Sequence, residues 1–303
     1  MSEQHVPVLL NQVLDMADQP ESAPESLLDC TFGRGGHALA LAEQFQNLKV
    51  FAVDQDRQAI EYAQSQFADR IGAGQLHVAH GSFHRLSEVV AKFESAPEKF
   101  DLILADLGVS SPQLDQASRG FSFQQSGPLD MRMNQQQELT AATIVNTWSE
   151  TQLRDLFYHV GEVRKPGRVV KAILRQRESK SFETTLQLAD LIAATEGWRK
   201  KGWHPATQYF LALRIEVNQE LEPLEQALKD MMGLLGDNGR LLVITFHSLE
   251  DRIVKNVFKA ASSMGERINK KVLQATWEEK KSNPRARSAK LRGFVRRHQE
   301  EES

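Results

Sequence analysis

Apolar and polar residues alternate in blocks along the first third of the chain, and the blocks read as strands separated by helices. Leu27 and Leu28 close a short buried strand, and Val50-Phe51-Ala52-Val53 makes a second. Comparable runs predict strands over 76–80, 100–105 and, far downstream, 240–246. Between them apolar positions recur at helical spacing over 38–45, 58–67 and 86–93. Strand–helix alternation of this kind gives an α/β fold with a parallel, doubly wound sheet, whose ligands sit beyond the carboxyl ends of the strands. The turns at 32–37, 81–83 and 106–113 are therefore expected to converge.

After Asp106 the alternation stops for roughly a hundred residues, too long for a plain loop in a compact domain. Ser149-x-x-Gln152 ahead of Leu153, Leu156 and Phe157 is a capping-box helix that should end at Gly161. Further helices are predicted over 169–177 and 185–194. The simplest organisation is an all-helical insertion, 110–215, with a substrate-recognition role, between two parts of a sheet domain, 1–109 and 216–303. A long helix over 206–235 should lead back into the sheet, broken or kinked at Pro223.

Chemistry concentrates in the first βαβ unit. Gly33, Gly35 and Gly36 permit a sharp turn against a ligand, and Asp54 closes the second strand about twenty residues on, where a carboxylate can accept both hydroxyls of a ribose. Gly33-x-Gly35-x-x-Ala38 also fits a nicotinamide fingerprint. Asp29, just before the turn, would repel a pyrophosphate but suits the ammonium of a methionine moiety, and the Lys-Ser/Thr of a phosphate-gripping loop is missing. S-adenosylmethionine thus fits better than a dinucleotide; a βα turn without a ligand is the plainer alternative.

Asp106, followed by Leu-Gly-Val-Ser-Ser-Pro-Gln113, puts an acid and a polar turn where the fourth strand meets the pocket. An exocyclic amine has its lone pair delocalised into the ring, so an acceptor must draw it towards tetrahedral geometry before it attacks a methyl group. Asp106 is the first candidate for that acceptor or for a cofactor ligand, and Gln113 the second; a turn acid that solvates a strand end is the alternative. Phe83 follows the third strand and reads either as a face for adenine or as a core residue. The single cysteine, Cys30, lies in the first strand, which leaves no thiol at this turn for attack on ring carbon and favours amine over carbon methylation. No His, Asp and Glu cluster has convincing metal spacing, and His204 and His247 read as core or turn residues. Arg119-Gly-Phe-Ser-Phe123 with Pro128-Leu-Asp-Met-Arg-Met133 reads as a loop that stacks a splayed base, with packing over the insertion as the alternative.

Charge divides the chain. The net charge of −3 over 303 residues resolves into 22 acids against 10 Lys/Arg in residues 1–163, and 18 against 27 in residues 164–303. A basic half joined to an acidic cofactor half points to a polyanionic substrate. Lys280 to His298 holds eight Lys/Arg and no acid and reads as a nucleic-acid footprint, and Arg164, Lys165, Arg168, Lys171, Arg175 and Arg177 form a second basic stripe. No run reaches the ~20 apolar residues of a membrane span, and the polar start lacks a signal-peptide pattern, so a cytoplasmic protein without a membrane partner is expected.

Taken together, the chain resembles the bacterial small-subunit (16S) ribosomal RNA cytosine-N4 methyltransferases. The resemblance rests on His5-Val-Pro-Val-Leu-Leu10, Thr31-Phe-Gly-Arg-Gly-Gly-His37, Asp106 to Asp115, Arg119 to Phe123, Pro128 to Met133, His204-Pro-Ala-Thr207, Leu213-Arg-Ile-Glu-Val-Asn218, Phe246-His-Ser-Leu-Glu-Asp-Arg-Ile-Val254 and Asn283 to Arg292. It implies a class I, Rossmann-like methyltransferase domain interrupted by a helical domain, with S-adenosylmethionine as methyl donor, no metal, and a cytidine near the decoding site as substrate. The partner would be small-subunit rRNA or the ribosomal subunit, and a homo-oligomer stays open. By position, Gly35, Gly36, His37, Asp54, Phe83, Asp106 and Gln113 inherit the cofactor role, and Asp106 is also the catalytic candidate. Gln208 stands where the family usually has arginine, and Gly161-Glu-Val-Arg-Lys-Pro166 departs from its more common Glu-Glu-Arg pattern. A nicotinamide dehydrogenase and a catalytically silent ribosome-assembly factor are the competing classes.

Overall fold

The computed structural model describes residues 6–18, 22–197 and 204–297. His5 of the first motif and His298 of the basic run lie outside the described residues. The chain divides into two compact units, 1–108 with 222–303, and 109–221.

The first unit is built on strands β1 (Ser26–Asp29), β2 (Lys49–Asp54), β3 (Leu76–His80), β4 (Phe100–Asp106), β5 (Leu235–Thr245), β6 (Gly265–Arg267), β7 (Leu273–Gln274) and β8 (Lys290–Arg296). They order as β3-β2-β1-β4-β5-β8-β6, with β7 on β8. The first five run parallel, and β8 is antiparallel to β5, β6 and β7. The two-residue period of the strands sorts their side chains. Leu28, Phe51, Val53, Ile103, Ala105, Leu241 and Val243 enter one apolar cluster with the helices Leu224–Gly233 and Ser248–Ala260. Leu27, Val50, Ala52, Leu102, Leu104, Leu242 and Ile244 enter the other, with the helices Leu10–Ala17 and Gly36–Gln44. Apolar burial on both faces is what a parallel sheet requires. The chain leaves β1 and β4 in opposite directions across the sheet, the switch point at which open α/β sheets hold ligands.

Two expectations are refined here. The helix expected over 206–235 is two helices, Thr207–Asn218 and Leu224–Gly233: the expected break is present and Pro223 caps the second helix, while the first ends earlier, at Gln219, in the left-handed region at φ 50°. The basic C-terminal segment is only partly a free footprint: Lys281 and Arg287 are exposed, whereas the strand that follows is built into the sheet. β8 is an interior strand of the sheet, its Leu291 and Phe294 are fully buried, and Arg292 is 7% exposed with Nε donating to Asp251 Oδ1 at 2.7 Å. Lys290 Nζ lies 3.2 Å from Asp251 Oδ2.

The second unit has its own core, in which Phe157, Phe182, Tyr209, Met131 and Met133 pack with aliphatic residues of the helices Ala141–Thr147, Gly167–Ser179, Thr185–Glu196 and Thr207–Asn218. Capping boxes start three of its helices, Ser110 with Gln113, Ser149 with Gln152 and Thr184 with Gln187. The helix Glu150–Asp155 runs into a π-helical turn, Leu156–Val160, before Gly161. The Arg119–Met133 loop takes the packing alternative. Arg119 is 3% exposed and its Nη2 donates to the carbonyls of Arg132 and Met133 at 3.0 Å, while Phe121, Leu129, Met131 and Met133 are core. His204 Nδ1 accepts from Ala206 N–H at 3.1 Å and its ring lies on Phe123, the turn role expected of it.

Candidate active site

The site forms at the carboxyl ends of β1, β2 and β4, where turns rich in backbone donors meet three acids. Gly35 holds φ +78°, and a Cβ there would fall 2.6 Å from the Phe32 ring, so only glycine fits both the dihedral and the approach. Gly36 opens the helix Gly36–Gln44 and lets Pro7 pack where its own Cβ would stand, 2.6 Å from Pro7 Cγ. The chain before the first helix is thereby drawn to the turn, and the carbonyl of Val8 accepts from His37 Nε2 at 2.8 Å. That bond fixes the tautomer: Nε2 carries the hydrogen and Nδ1 is left as an acceptor.

Asp54 ties the turn to the end of β2. Its Oδ2 accepts from Gly33 N–H at 2.7 Å and its Oδ1 from Asp56 N–H at 2.8 Å. Each carboxylate oxygen has a second lone pair, so the group can be anchored by the backbone and still accept from a ligand hydroxyl. Asp29 is 2% exposed and accepts from Thr31 N–H at 3.0 Å. Burial pushes its carboxyl up to about 7; the Thr31 bond opposes the rise and the charge of Asp54 adds to it.

Asp106 ends β4, its N–H donating to Thr31 Oγ1 at 2.7 Å. Oδ1 is covered from solvent and has no hydrogen-bond partner, whereas Oδ2 stands 3.7 Å from His37 Nδ1. Burial pushes the Asp106 carboxyl up to about 8, with the charges of Asp29 and then Glu250 adding to the rise. The side chain keeps 28% of its surface, so solvent screens part of the rise without changing its direction. Burial lowers the His37 imidazole to about 4, against the Val8 bond. At neutral pH the pair is therefore a neutral imidazole beside a protonated carboxyl, not an ion pair, and 3.7 Å is too long for a hydrogen bond.

The structure thus brings Gly35, Gly36, His37, Asp54 and Asp106 into one site, together with Asp29. Phe83 packs in the apolar cluster of the sheet, 8% exposed and against His84. Gln113 belongs to the other unit, where Oε1 accepts from Ser110 N–H at 2.9 Å as the capping-box partner. Cys30 is buried one residue past β1, and burial raises its thiol well above its usual range, an inert position. His247 caps the helix Ser248–Ala260.

Sequence reasoning did not single out Thr31, Val8 or Glu250. Glu250 is 1% exposed and accepts from Phe246 N–H at 3.0 Å, next to the end of β5. Its signal was the polar turn that follows β5, of the same kind as the turns that follow β1 and β4.

A buried acceptor without a donor, two acids held largely protonated, and a third acid at the end of the neighbouring strand make a site suited to a cationic ligand that carries hydroxyls. Residues 2–297 match the MraW methylase family. The chain is 51% identical over 304 residues to the ribosomal RNA small subunit methyltransferase H of Bdellovibrio bacteriovorus, covering 99% of this chain and 90% of that protein. It is 41% identical over 293 residues to the protein of the same name from Coprothermobacter proteolyticus, covering 96% and 95%. With nearly the whole length matched in both comparisons, this chain belongs to the MraW methylase family.

Proposed function

We propose that this protein methylates the N4 amine of a cytidine in small-subunit (16S) rRNA, with S-adenosylmethionine as the donor. The observation that carries the reading is Asp106 Oδ1, a buried acceptor without a donor at the end of β4. The donor supplies a methyl group on a positively charged sulfur. Asp54 is placed for the ribose hydroxyls, and Asp29 for the ammonium group. Asp106 is read as the group that meets the amine: its Oδ1 can take an N–H hydrogen bond and orient the nitrogen lone pair as the N–C bond forms, the S–C bond breaks with its electron pair left on sulfur, and the carboxylate takes up the proton that the nitrogen sheds. Gly35 and Gly36 shape the turn, and His37 holds the segment around Val8 against it. Phe83, just after β3, and Gln113, in the turn after β4, are read as further cofactor contacts, alongside their packing and capping roles. The helical unit 109–221 is read as the substrate-recognition part. The names of the relatives support rRNA as the substrate. Among the described residues no helix is long and apolar enough to cross a membrane.

The direct test is transfer of labelled methyl from S-adenosylmethionine into small-subunit rRNA, followed by identification of the modified nucleoside. Recovery of N4-methylcytidine is expected; a label on another base, or on a carbon atom, refutes the N4 assignment.

Asp54→Asn should weaken S-adenosylmethionine binding by about 1.5–3 kcal/mol, roughly 10- to 150-fold in Kd, the range for a hydrogen bond to a charged group. Calorimetry that returned the wild-type Kd would remove Asp54 from the ribose site.

The raised carboxyls give a pH signature. In the unliganded protein Asp29 and Asp106 hold protons up to about 7 and about 8, and a bound cation favours their ionised forms. Binding near pH 7 should therefore release protons, and affinity should rise between pH 6 and 8. Without ligand the sign is opposite for stability: groups whose pKa is raised on folding stabilise most below the ordinary carboxylate range, and this contribution is lost as pH climbs through 7 to 8. Titration calorimetry in buffers of different ionisation enthalpy checks the release; heats independent of buffer would count against it.

A further inference from the structure

The second unit carries a depression of about 620 Å³ that the cofactor chemistry does not use. It is lined by Arg154, Arg164, Lys165, Arg168 and Lys171, with Tyr158 at its wall and Asp155 as the single acid. The five cations come from three successive segments: the helix Glu150–Asp155, the link 161–166 and the first turns of the helix Gly167–Ser179. All five are exposed, and Arg164, Lys165 and Lys171 make no ion pair among the described residues. Among the described residues Arg168 Nη2 donates to the carbonyl of Thr195, at 2.8 Å, and Arg154 pairs with Glu150 at 2.8 Å. Cations so crowded repel one another, and one acid does not offset them, so the depression is a region of concentrated positive potential.

The backbone beneath it is irregular. Leu156 and Phe157 point into the core, and the π-helical turn Leu156–Val160 leaves Tyr158 53% exposed, edge-on to the ring of His159. Glu162 then takes φ +51°, a conformation unfavourable for a residue with a side chain. Ordinary helix continuation would have avoided both features, and π-turns concentrate at functional sites. A large aromatic held in solvent beside a cluster of cations that one acid does not offset is the combination that binds single-stranded nucleic acid: cations follow the phosphates, and the ring stacks on a base whatever its identity.

We propose that this depression holds the backbone of a single-stranded segment of the substrate RNA, with Tyr158 stacked on one of its bases. The inference rests on rRNA as the substrate. It transfers the nucleic-acid role from the C-terminal basic segment, where β8 takes Lys290 and Arg292 into the fold, to the stripe on the helical unit.

The test uses the full chain in two variants, Arg164→Ala/Lys165→Ala/Arg168→Ala/Lys171→Ala and Tyr158→Ala, with a small-subunit rRNA transcript as probe. All five positions are exposed, so the fold and the affinity for S-adenosylmethionine should be unchanged. The charge variant should bind the RNA at least about tenfold more weakly at physiological salt, with the slope of log K against log salt reduced by roughly 0.7 for each phosphate that is no longer neutralised. Tyr158→Ala should weaken binding by roughly 5- to 150-fold, the range for loss of one stacked base, with the salt slope retained. In both, KM for RNA should rise and the rate at saturating RNA should hold. Wild-type RNA affinity and salt slope in the charge variant overturn the inference, and if wild-type protein still methylates the transcript the proposed function stands. Wild-type protein that neither binds nor methylates the transcript overturns both.

Discussion

Asp106→Asn is expected to slow saturated single-turnover methyl transfer by roughly two to three orders of magnitude, the range seen when one fixed electrostatic stabiliser is removed. The substitution keeps the shape of the side chain and the backbone bond from Asp106 N–H to Thr31 Oγ1. What it removes is the negative charge that the carboxyl takes on once the cationic donor is bound, and that the amine meets as positive charge grows on nitrogen. The structure leaves Oδ1 without a donor of its own, so the oxygen need not be freed from another bond before it acts. S-adenosylmethionine affinity should change much less. A role confined to cofactor binding predicts the reverse, weak binding with a near-normal rate once the donor saturates. Single-turnover rates at saturation set beside dissociation constants separate the two.

The largest effect on stability should come from Arg292→Ala, a loss of about 1.5–3 kcal/mol, because it strips a part-buried carboxylate of a charge-assisted hydrogen bond. Asp251 would keep only Lys290, at 3.2 Å, and its carboxyl, which against the effect of burial is held below the ordinary range chiefly by the Arg292 hydrogen bond and charge, would be left with that ammonium alone. Replacing both partners together, Asp251→Leu with Arg292→Met, should recover much of the loss, since a desolvated pair is worth little more than apolar packing of similar volume. Denaturant midpoints check this, and an Arg292→Ala midpoint within about 0.5 kcal/mol of wild type would show the pair to be idle.

The parts of the molecule legible in the sequence are those fixed by short-range pattern. The turn from β1 to the helix Gly36–Gln44 and the acid at the end of β2 are written in about thirty consecutive residues, and their chemistry follows from local geometry. The three capping boxes are equally local, and Ser149-x-x-Gln152 was readable for that reason. What could not be read depends on partners far along the chain. Lys290-Leu-Arg-Gly-Phe-Val-Arg296 looks like a solvated basic run until Asp251 arrives beside Arg292 and β5 beside the strand. The left-handed Gln219 that ends one helix is not a glycine, and Gly161 announces the end of the other helix but not the π-turn before it that exposes Tyr158. Asp54 was legible as an acid at a strand end, but its grip on Gly33 N–H needs the three-dimensional turn.

The sheet unit is discontinuous in sequence, which bears on how the chain can fold as it is made. β4 emerges next to β1, yet its other neighbour, β5, belongs to the far side of the segment 109–221. At ~5–20 residues per second, that segment takes about 6–23 s to synthesise. For that interval the apolar edge of Leu102, Ile103, Leu104 and Ala105 stands without the strand that finally covers it. An uncovered edge of this kind is a template for pairing with other chains. The helical unit, continuous and with its own core, can close during the same interval. The half that carries Asp29, Asp54 and Asp106 is then completed only when β5 and, later still, β8 are added.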